Sequence, residues 1–294
     1  MPLWWFLKGI SLLPFSVLYA LSTFLYVVLY RMIGYRKKVV RQNIERSFPA
    51  RTQQEHRQIE KQFFKNLCDV IVETLKMVSI TPEGLQERVQ FKGHERAEAY
   101  LAQGQQVLGM GAHLANWEIM SAAGNLRFDY PIDGVYKPLS SSFFEAFMVF
   151  LRSRFGIKLV PMKDTLRHMI RHKNQARIFT MLADQVPPYG HIQFWTNFLH
   201  QDTAFYVSGD RLRESFGYPV FFVAMRHLRR GFFEIEFIEL FPPLQQKGED
   251  AKNPVTHAFA QQLEKWIEAN PADYLWSHKR WKHKKPVELA SPAS

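Results

Sequence analysis

The chain has 294 residues, a single cysteine and a formal charge of +11, from 38 Lys and Arg against 27 Asp and Glu. This length is enough for one large core, and a lone cysteine excludes an intrachain disulfide framework. The positive balance favours an anionic partner, such as nucleic acid, an acidic membrane surface, a phosphorylated substrate or an acidic carrier protein.

The first predicted element is a long apolar helix. Residues 9–30 contain no charged side chain, and about 20 apolar residues suffice to cross the hydrocarbon core of a bilayer. The run is longer than the apolar region of a signal peptide and lacks a small-x-small cleavage site. Arg31, Arg36 and Lys37 follow it, which favours a cytoplasmic location for the rest of the chain. We expect a transmembrane or monotopic anchor over residues 1–35, with a buried core helix as the alternative.

Behind the anchor, an amphipathic helix is predicted from Thr52, with Glu55 completing a capping box. Beyond Pro82, short apolar runs alternate with helical stretches. Strands are predicted at 106–111, 132–136, 157–161, 177–182, 219–225 and 232–240. The last two are expected to form an antiparallel hairpin at one edge of the sheet. Helices are predicted at 116–126, 141–155, 163–173, 203–216 and 253–269. This alternation predicts an α/β fold with a mostly parallel central sheet flanked by helices. Residues 36–285 are expected to form one domain, followed by a disordered tail over 286–294.

The stretch GMGAHLANWEIM, residues 109–120, joins a predicted strand to a predicted helix. On one helix, His113 and Glu118 would lie about 140° apart, so they can cooperate only if the helix begins between them, with Asn116 as its N-cap. Glu118 could then hold one nitrogen of His113 and leave the other facing a cleft as a base. The alternative is a first-turn glutamate that the helix dipole alone favours. About one match to this spacing is expected by chance.

Other chemistries have less support in the sequence. The chain contains no G-x-S-x-G elbow, no H-E-x-x-H motif, no P-loop and no cysteine cluster, which disfavours a serine hydrolase, a zinc hydrolase and a P-loop nucleotide-binding protein. We therefore expect no metal and no redox cofactor.

Four blocks, GAHLANWE, GVYKPLSSSFFEAFMVFLRSRFG, MLADQ and ADYLWSHKRWK, occur in this order behind the apolar helix. Together they resemble the lipid A biosynthesis acyltransferases, bacterial enzymes that acylate hydroxyl groups on acyl chains of a glucosamine disaccharide. The resemblance implies a glycerolphosphate acyltransferase-like fold and a membrane-bound O-acyltransferase. It also implies a bacterial inner-membrane location with the catalytic domain on the cytoplasmic face.

The resemblance also assigns roles. His113 would deprotonate the acceptor hydroxyl and Glu118 would orient the imidazole, after which the alkoxide attacks the thioester of an acyl carrier protein or acyl-CoA. Lys137 or Arg154 would stabilise the oxyanion or bind phosphate, although each could equally be a solvated surface cation. The remaining substrate-binding candidates are Asn116, Asp184, Gln185 and Arg280.

The expected acceptor is a lipid A precursor, which is an anionic glycolipid. Another glycolipid or a phospholipid is an alternative acceptor, and a thioesterase that uses the same pair on water is an alternative activity. The block YLWSHKRWKHKK, residues 274–285, interleaves tryptophan with cations, which suits docking among lipid headgroups. Taken alone this block would also suit RNA, but the anchor and the lack of an RNA-binding motif disfavour a nucleic-acid partner.

Overall fold

A computed structural model describes residues 2–241 and 252–286 of the chain. The helices are α1 (Pro2–Ser11), α2 (Phe15–Tyr26), α3 (Lys37–Ser47), α4 (Gln53–Lys76), α5 (Pro82–Gln86), α6 (Glu95–Ala102), α7 (Trp117–Arg127), α8 (Ser142–Ser153), α9 (Thr165–Arg171), α10 (Ser208–Phe216) and α11 (Pro254–Ala269). The strands are β1 (Val89–Lys92), β2 (Gln106–Gly111), β3 (Ile132–Tyr136), β4 (Lys158–Pro161), β5 (Arg177–Leu182), β6 (Phe194–Phe198), β7 (Gln201–Phe205), β8 (Val220–Arg229) and β9 (Phe232–Phe241).

The centre of the fold is a seven-stranded sheet with the strand order β1-β9-β8-β2-β5-β3-β4. Neighbouring strands are parallel except for the antiparallel pair β8 and β9. Strand β2 is buried at every position, as expected for a parallel strand covered on both faces. Helices α6, α7 and α8 contribute to the core on one face, and α9, α10 and α11 to the core on the other. The predicted α/β fold is confirmed.

The predicted strands are all present, with boundaries shifted by a few residues at most except that β8 continues to Arg229. The β8–β9 hairpin is antiparallel as predicted, but it is not at the edge, because β9 also pairs with β1. The hydrophobic pattern does not predict β1, since this strand has only four residues and two of them are exposed polar side chains. A short edge strand of this kind carries little hydrophobic periodicity.

The helix predicted over 203–216 is wrong in its first turn. Residues Gln201–Phe205 form β7, which pairs with β6 in a separate hairpin. The turn consists of Leu199 and His200, with positive φ angles of 50° and 61°, the conformation of a two-residue hairpin turn that is usually made by Asn and Gly. The sequence therefore lacks the usual turn signal, and the tertiary packing of the hairpin decides its structure.

The predicted apolar helix is present in two parts. Helix α1 ends at Ser11 and α2 begins at Phe15, because Pro14 has no N–H to donate and disfavours helical geometry in the residue before it. Helix α2 continues through a π-helical turn, so that Phe15–Ile33 is long and apolar enough to cross a membrane, with a mean hydropathy of 1.6. The capping box of Thr52 and Glu55 at the start of α4 is confirmed. Apart from Pro286, the tail predicted over 286–294 lies outside the described residues.

Candidate active site

His113 lies in the loop between β2 and α7, at the carboxyl edge of the sheet. The C-terminal segment holds this loop through two backbone hydrogen bonds: Leu275 N–H donates to the His113 carbonyl at 3.1 Å, and Ala115 N–H donates to the Asp273 carbonyl at 2.8 Å. Ala115 has a φ of +47°, a left-handed conformation that is uncommon for a residue with a Cβ. The histidine therefore sits in a strained loop that is fixed from outside.

Asn116 caps α7, as predicted. Its Oδ1 accepts a hydrogen bond from Ile119 N–H at 3.2 Å, and its Nδ2 donates to Glu73 Oε2 at 2.9 Å. The helix therefore begins between His113 and Glu118. The Asn116 side chain is fully buried and does not line the cleft, so its amide serves the loop and not a bound substrate.

The carboxylate that holds His113 is Asp184, which follows β5. Asp184 Oδ1 lies 2.7 Å from His113 Nδ1. An ionised carboxylate can only accept, so Nδ1 carries the proton, and in the neutral imidazole Nε2 is the acceptor. Nε2 faces Gln185, whose Nε2 lies 3.3 Å away. This is the tautomer and orientation that a general base requires.

The expectation that Glu118 holds a nitrogen of His113 is wrong. Both oxygens of Glu118 are taken by Arg152 at the end of α8, at 2.7 and 2.8 Å, and Glu118 Oε1 also accepts from the Trp117 indole N–H at 3.1 Å. The two-pronged guanidinium matches a carboxylate better than one imidazole nitrogen does. The sequence contains arginines at 152 and 154, and their spacing does not indicate which of them binds Glu118.

Neighbouring charges set the protonation of the pair. Burial alone would lower the pKa of His113, but the charge and hydrogen bond of Asp184, assisted by Glu118, raise this pKa above its ordinary value. Burial alone would raise the pKa of Asp184, but the charge and hydrogen bonds of His113, assisted by Arg280, lower it. Asp184 therefore stays ionised and the imidazole is a stronger base than a free histidine.

A cleft of about 1250 Å³ opens beside His113. Glycines at 109 and 111 on β2, 134 on β3 and 124 on α7 line it, and a Cβ at any of them would contact a neighbouring side chain at 3.1–3.4 Å. Most of the other lining residues there are apolar and include Phe91, Met120, Ile132, Ile157, Leu159, Ile178, Leu182, Val223 and Phe237. Cations also line the cleft at Lys137, Lys163, Arg211 and Lys282. A cavity of this shape and chemistry fits a hydrocarbon chain that is attached to an anionic group.

Lys137 and Gln185 line the cleft, as a substrate-binding role requires, but Arg154 does not. Arg154 NH1 donates to the carbonyls of Met77 and Ile80, at 2.8 and 2.6 Å. The guanidinium therefore ties the end of α8 to the segment that follows α4. The expected contact of Arg154 with phosphate or the oxyanion is therefore wrong for this structure, because its NH1 is bound to backbone carbonyls and the residue does not line the cleft.

Arg280 is also placed differently from expectation. It is 2% exposed, donates to the Ala204 carbonyl at 2.7 Å and lies over the Phe205 ring. Trp276 is fully buried. The prediction that residues 274–285 form a headgroup-binding block is therefore wrong for these two side chains, which are buried in the protein. Lys282 from the same block does reach the cleft.

Within residues 2–241 and 252–286, no group of three or more His, Cys, Asp or Glu side chains is arranged to hold a metal ion. The acidic and imidazole groups at the site instead form the His113–Asp184 pair and the Glu118–Arg152 pair.

An α/β sheet with a carboxylate-held histidine beside a largely apolar cleft is suited to the transfer of acyl groups. The family model for bacterial lipid A biosynthesis acyltransferases matches residues 3–283, and the chain belongs to this family. It is also similar to the lipid A biosynthesis lauroyltransferase of Escherichia coli (strain K12), with 26% identity over 277 residues that cover 92% of this chain and 87% of that protein.

Proposed function

We propose that this acyltransferase is membrane-bound and transfers a fatty acyl chain from a thioester donor to a hydroxyl of a lipid A precursor or related glycolipid. The observation that carries the proposal is the orientation of His113. Its Nδ1 lies 2.7 Å from Asp184 Oδ1, which leaves Nε2 as the nitrogen available to a substrate, and the residue lines a cleft that can hold an acyl chain.

In the proposed reaction, Nε2 of His113 takes the proton of the acceptor hydroxyl, and the hydroxyl oxygen attacks the carbonyl carbon of the thioester. The tetrahedral intermediate then expels the thiolate as the C–S bond breaks. The imidazolium returns the proton to sulfur, leaving an ester and a free thiol. Asp184 keeps the ring oriented and stabilises the imidazolium, the role of the carboxylate in a catalytic triad.

The tetrahedral oxyanion needs a hydrogen-bond donor near Nε2 of His113. The side-chain amide of Gln185 is 3.3 Å from that nitrogen, and Lys137 lines the same cleft. Both residues are proposed to contact the reacting groups. Glu118 acts more indirectly, because it adds negative charge near the imidazole and, through Arg152, fixes the start of α7.

The substrates fit different parts of the cleft. The apolar space between α7 and the sheet suits the acyl chain of the donor. The cations Lys137, Lys163, Arg211 and Lys282 suit phosphates, which an anionic glycolipid acceptor, the prosthetic group of acyl carrier protein and acyl-CoA all carry. The charge of +11 would also attract an acidic carrier protein.

Membrane attachment is supported by the Phe15–Ile33 stretch, of which only 22% is buried in the protein. The cations Arg36, Lys37 and Lys38 follow it, and Arg31 lies in its last turn. They favour the cytoplasmic face of the bacterial inner membrane as the location of residues 36–285, which we propose form one catalytic domain.

The test is a reaction of the purified full chain, in lipid–detergent micelles, with an acyl-loaded carrier protein and a lipid A precursor. Mass spectrometry should show the precursor gaining one acyl chain in step with release of carrier thiol. His113→Ala should abolish the gain, whereas Lys265→Ala, at an exposed position of α11, should leave it intact. Release of free fatty acid at the same rate, with no modified precursor, would identify a thioesterase and overturn the proposal.

A further inference from the structure

The N-terminal segment is bound lengthwise along α4. Lys76 Nζ donates to the Ser11 and Leu13 carbonyls, at 2.9 and 3.0 Å, where α1 ends. Further along, Tyr19 Oη donates to a carboxylate oxygen of Glu73 at 3.0 Å. These contacts fix the first half of the segment to the C-terminal end of α4.

The contacts continue toward the N-terminal end of α4. Ser22 Oγ donates to Asp69 Oδ1 at 2.5 Å, and the Tyr30 and Phe64 rings lie 5.0 Å apart. Asp69 is also bound by Arg230, in the turn between β8 and β9, at 2.6 and 2.8 Å. The two helices are therefore antiparallel neighbours, and polar bonds tie both to the central sheet.

The segment has two different faces. Leu18, Ser22, Tyr26 and Tyr30, spaced every four residues, are buried against the protein. The opposite side is exposed and carries a set of apolar side chains that we call the outer face: Leu12, Leu13, Val17, Phe24, Val27, Met32 and Ile33. An exposed apolar stripe of this length on a soluble surface is unfavourable, which points to a binding surface.

A transmembrane orientation of Phe15–Ile33 conflicts with these contacts. The 19-residue stretch is about 28 Å long as a helix, and α4 lies beside much of it. If the stretch crossed the bilayer, α4 would be drawn into the hydrocarbon with it. This is unfavourable because Lys61 and Lys65 are exposed on α4. Each charge at the centre of a bilayer costs roughly 2.5–3.5 kcal/mol on insertion scales, and the alternative of detaching the segment breaks its bonds to Asp69 and Glu73.

We propose that residues 2–33 lie in the plane of an anionic lipid surface, with the outer face in the boundary between headgroups and acyl chains, and do not cross the bilayer. Exposed cations at Lys8, Arg31 and Lys38 border the outer face and complement lipid phosphates, as in interfacial amphipathic helices. The inference rests on the proposed membrane attachment and specifies its geometry.

Depth measurements on the full chain test this geometry. Single cysteines are introduced as Val17→Cys, Phe24→Cys and Met32→Cys and labelled with a fluorophore. The native Cys68 is fully buried and burial raises its thiol pKa to about 11, so it reacts slowly with maleimide. The labelled proteins are bound to vesicles of phosphatidylglycerol and phosphatidylethanolamine that contain nitroxide lipids.

In-plane binding predicts that nitroxides near the headgroup quench all three labels to a similar extent, more strongly than nitroxides at the chain ends. A transmembrane helix predicts that the label at position 24, the midpoint of the stretch, is quenched more strongly by nitroxides at the chain ends. The labels at positions 17 and 32 would then lie closer to the headgroups. That pattern would overturn the proposal. Labels shielded from both water and lipid would indicate a second copy of the chain on the outer face and would overturn it as well.

Labelling from one side of the membrane tests the same geometry independently. Pro2→Cys and Gln53→Cys, both at exposed positions, should react with a membrane-impermeant maleimide from the same side of the membrane. Reaction from opposite sides would establish a span. Failure to bind vesicles at all would refute membrane attachment itself, whereas correct depths in a protein without acyl transfer would refute only the proposed chemistry.

Discussion

The carboxylate of Glu118 is bound by the guanidinium of Arg152, at 2.7 and 2.8 Å, and it makes no hydrogen bond to the imidazole five residues before it within the described part of the chain. The pair joins the first turn of α7 to the last turn of α8. Asp184, which is distant in sequence, takes the position next to His113. The two acidic residues therefore have separate tasks: Asp184 orients the proposed base, and Glu118 fixes the helix beside it.

Asp184→Asn should slow acyl transfer and change its pH dependence. Asp184 raises the pKa of His113, so in the wild-type protein activity should rise with pH through a value above the ordinary 6.5. Without the Asp184 charge, the histidine should lose its proton at a lower pH. The acid limb of the rate–pH profile should therefore shift to lower pH. The plateau should fall on the order of 10²-fold, because the base is weaker and poorly oriented. Rate–pH profiles of both proteins provide the measurement, and an unchanged acid limb would contradict the assigned pair.

Glu118→Ala and Arg152→Ala should each reduce turnover, and the double variant should lose little more than either one. Each single change leaves a partly buried charge without its partner, whereas the double change removes both charges. Coupling between contacting charges is typically 0.5–3 kcal/mol. A double-mutant cycle on both kcat/KM and the free energy of unfolding measures it. Additive losses would show that the two side chains act independently.

Gly124→Ala should increase stability and shorten the preferred acyl chain. A Cβ at this position would meet only the Ile132 side chain, at 3.4 Å, and Ala is favoured over Gly in a helix by up to about 1 kcal/mol. The added methyl group nevertheless narrows the cleft. Competition between donors of different chain length should show a shift toward the shorter chains.

The matched control for this experiment is Gly9→Ala. Gly9 also lies in a helix, and a Cβ there would have open space around it. It should leave the ratio of products unchanged. Equal chain preference in wild type and Gly124→Ala would show that the acyl chain does not pass this point.

Arg154→Ala should destabilise the fold without changing the chemistry. The substitution removes the two hydrogen bonds to the Met77 and Ile80 carbonyls, with an expected loss on the order of 1 kcal/mol. Chemical denaturation should show the change, while kcat per folded molecule stays near the wild-type value. Arg171→Ala, at an exposed position of α9, is the control for loss of one positive charge. A large fall in kcat for Arg154→Ala, without a matching fall for Arg171→Ala, would show that Arg154 takes part in the reaction.

Much of the site was predictable because it depends on local chemistry. The N-cap at Asn116 follows from the preference of Asn for that position, and the cap in turn places His113 in a loop at the end of a strand. The resemblance assigned Asp184 and Gln185 to substrate binding. The structure instead pairs Asp184 with the histidine, and Gln185 alone of the two lines the cleft.

The choice of partners was not predictable in the same way. Glu118 could have reached His113 or Arg152, and Arg154 and Arg152 stand two residues apart in the same block. The selection depends on where α8 packs against α7, which places one guanidinium beside Glu118 and directs the other to the end of α4. Burial of Arg280 and Trp276 depends likewise on packing, since their neighbours Lys279 and Lys282 have similar sequence surroundings.

The sequence by itself determined six of the seven strands of the central sheet, the cap before α7 and the apolar N-terminal stretch, because each arises from side chains within a few residues of one another. Only the tertiary structure decided which carboxylate holds the histidine, which arginine faces the cleft side of α7 and against which helix the apolar stretch lies. Those outcomes depend on groups that are far apart along the chain and meet only after the sheet and its helices have packed together.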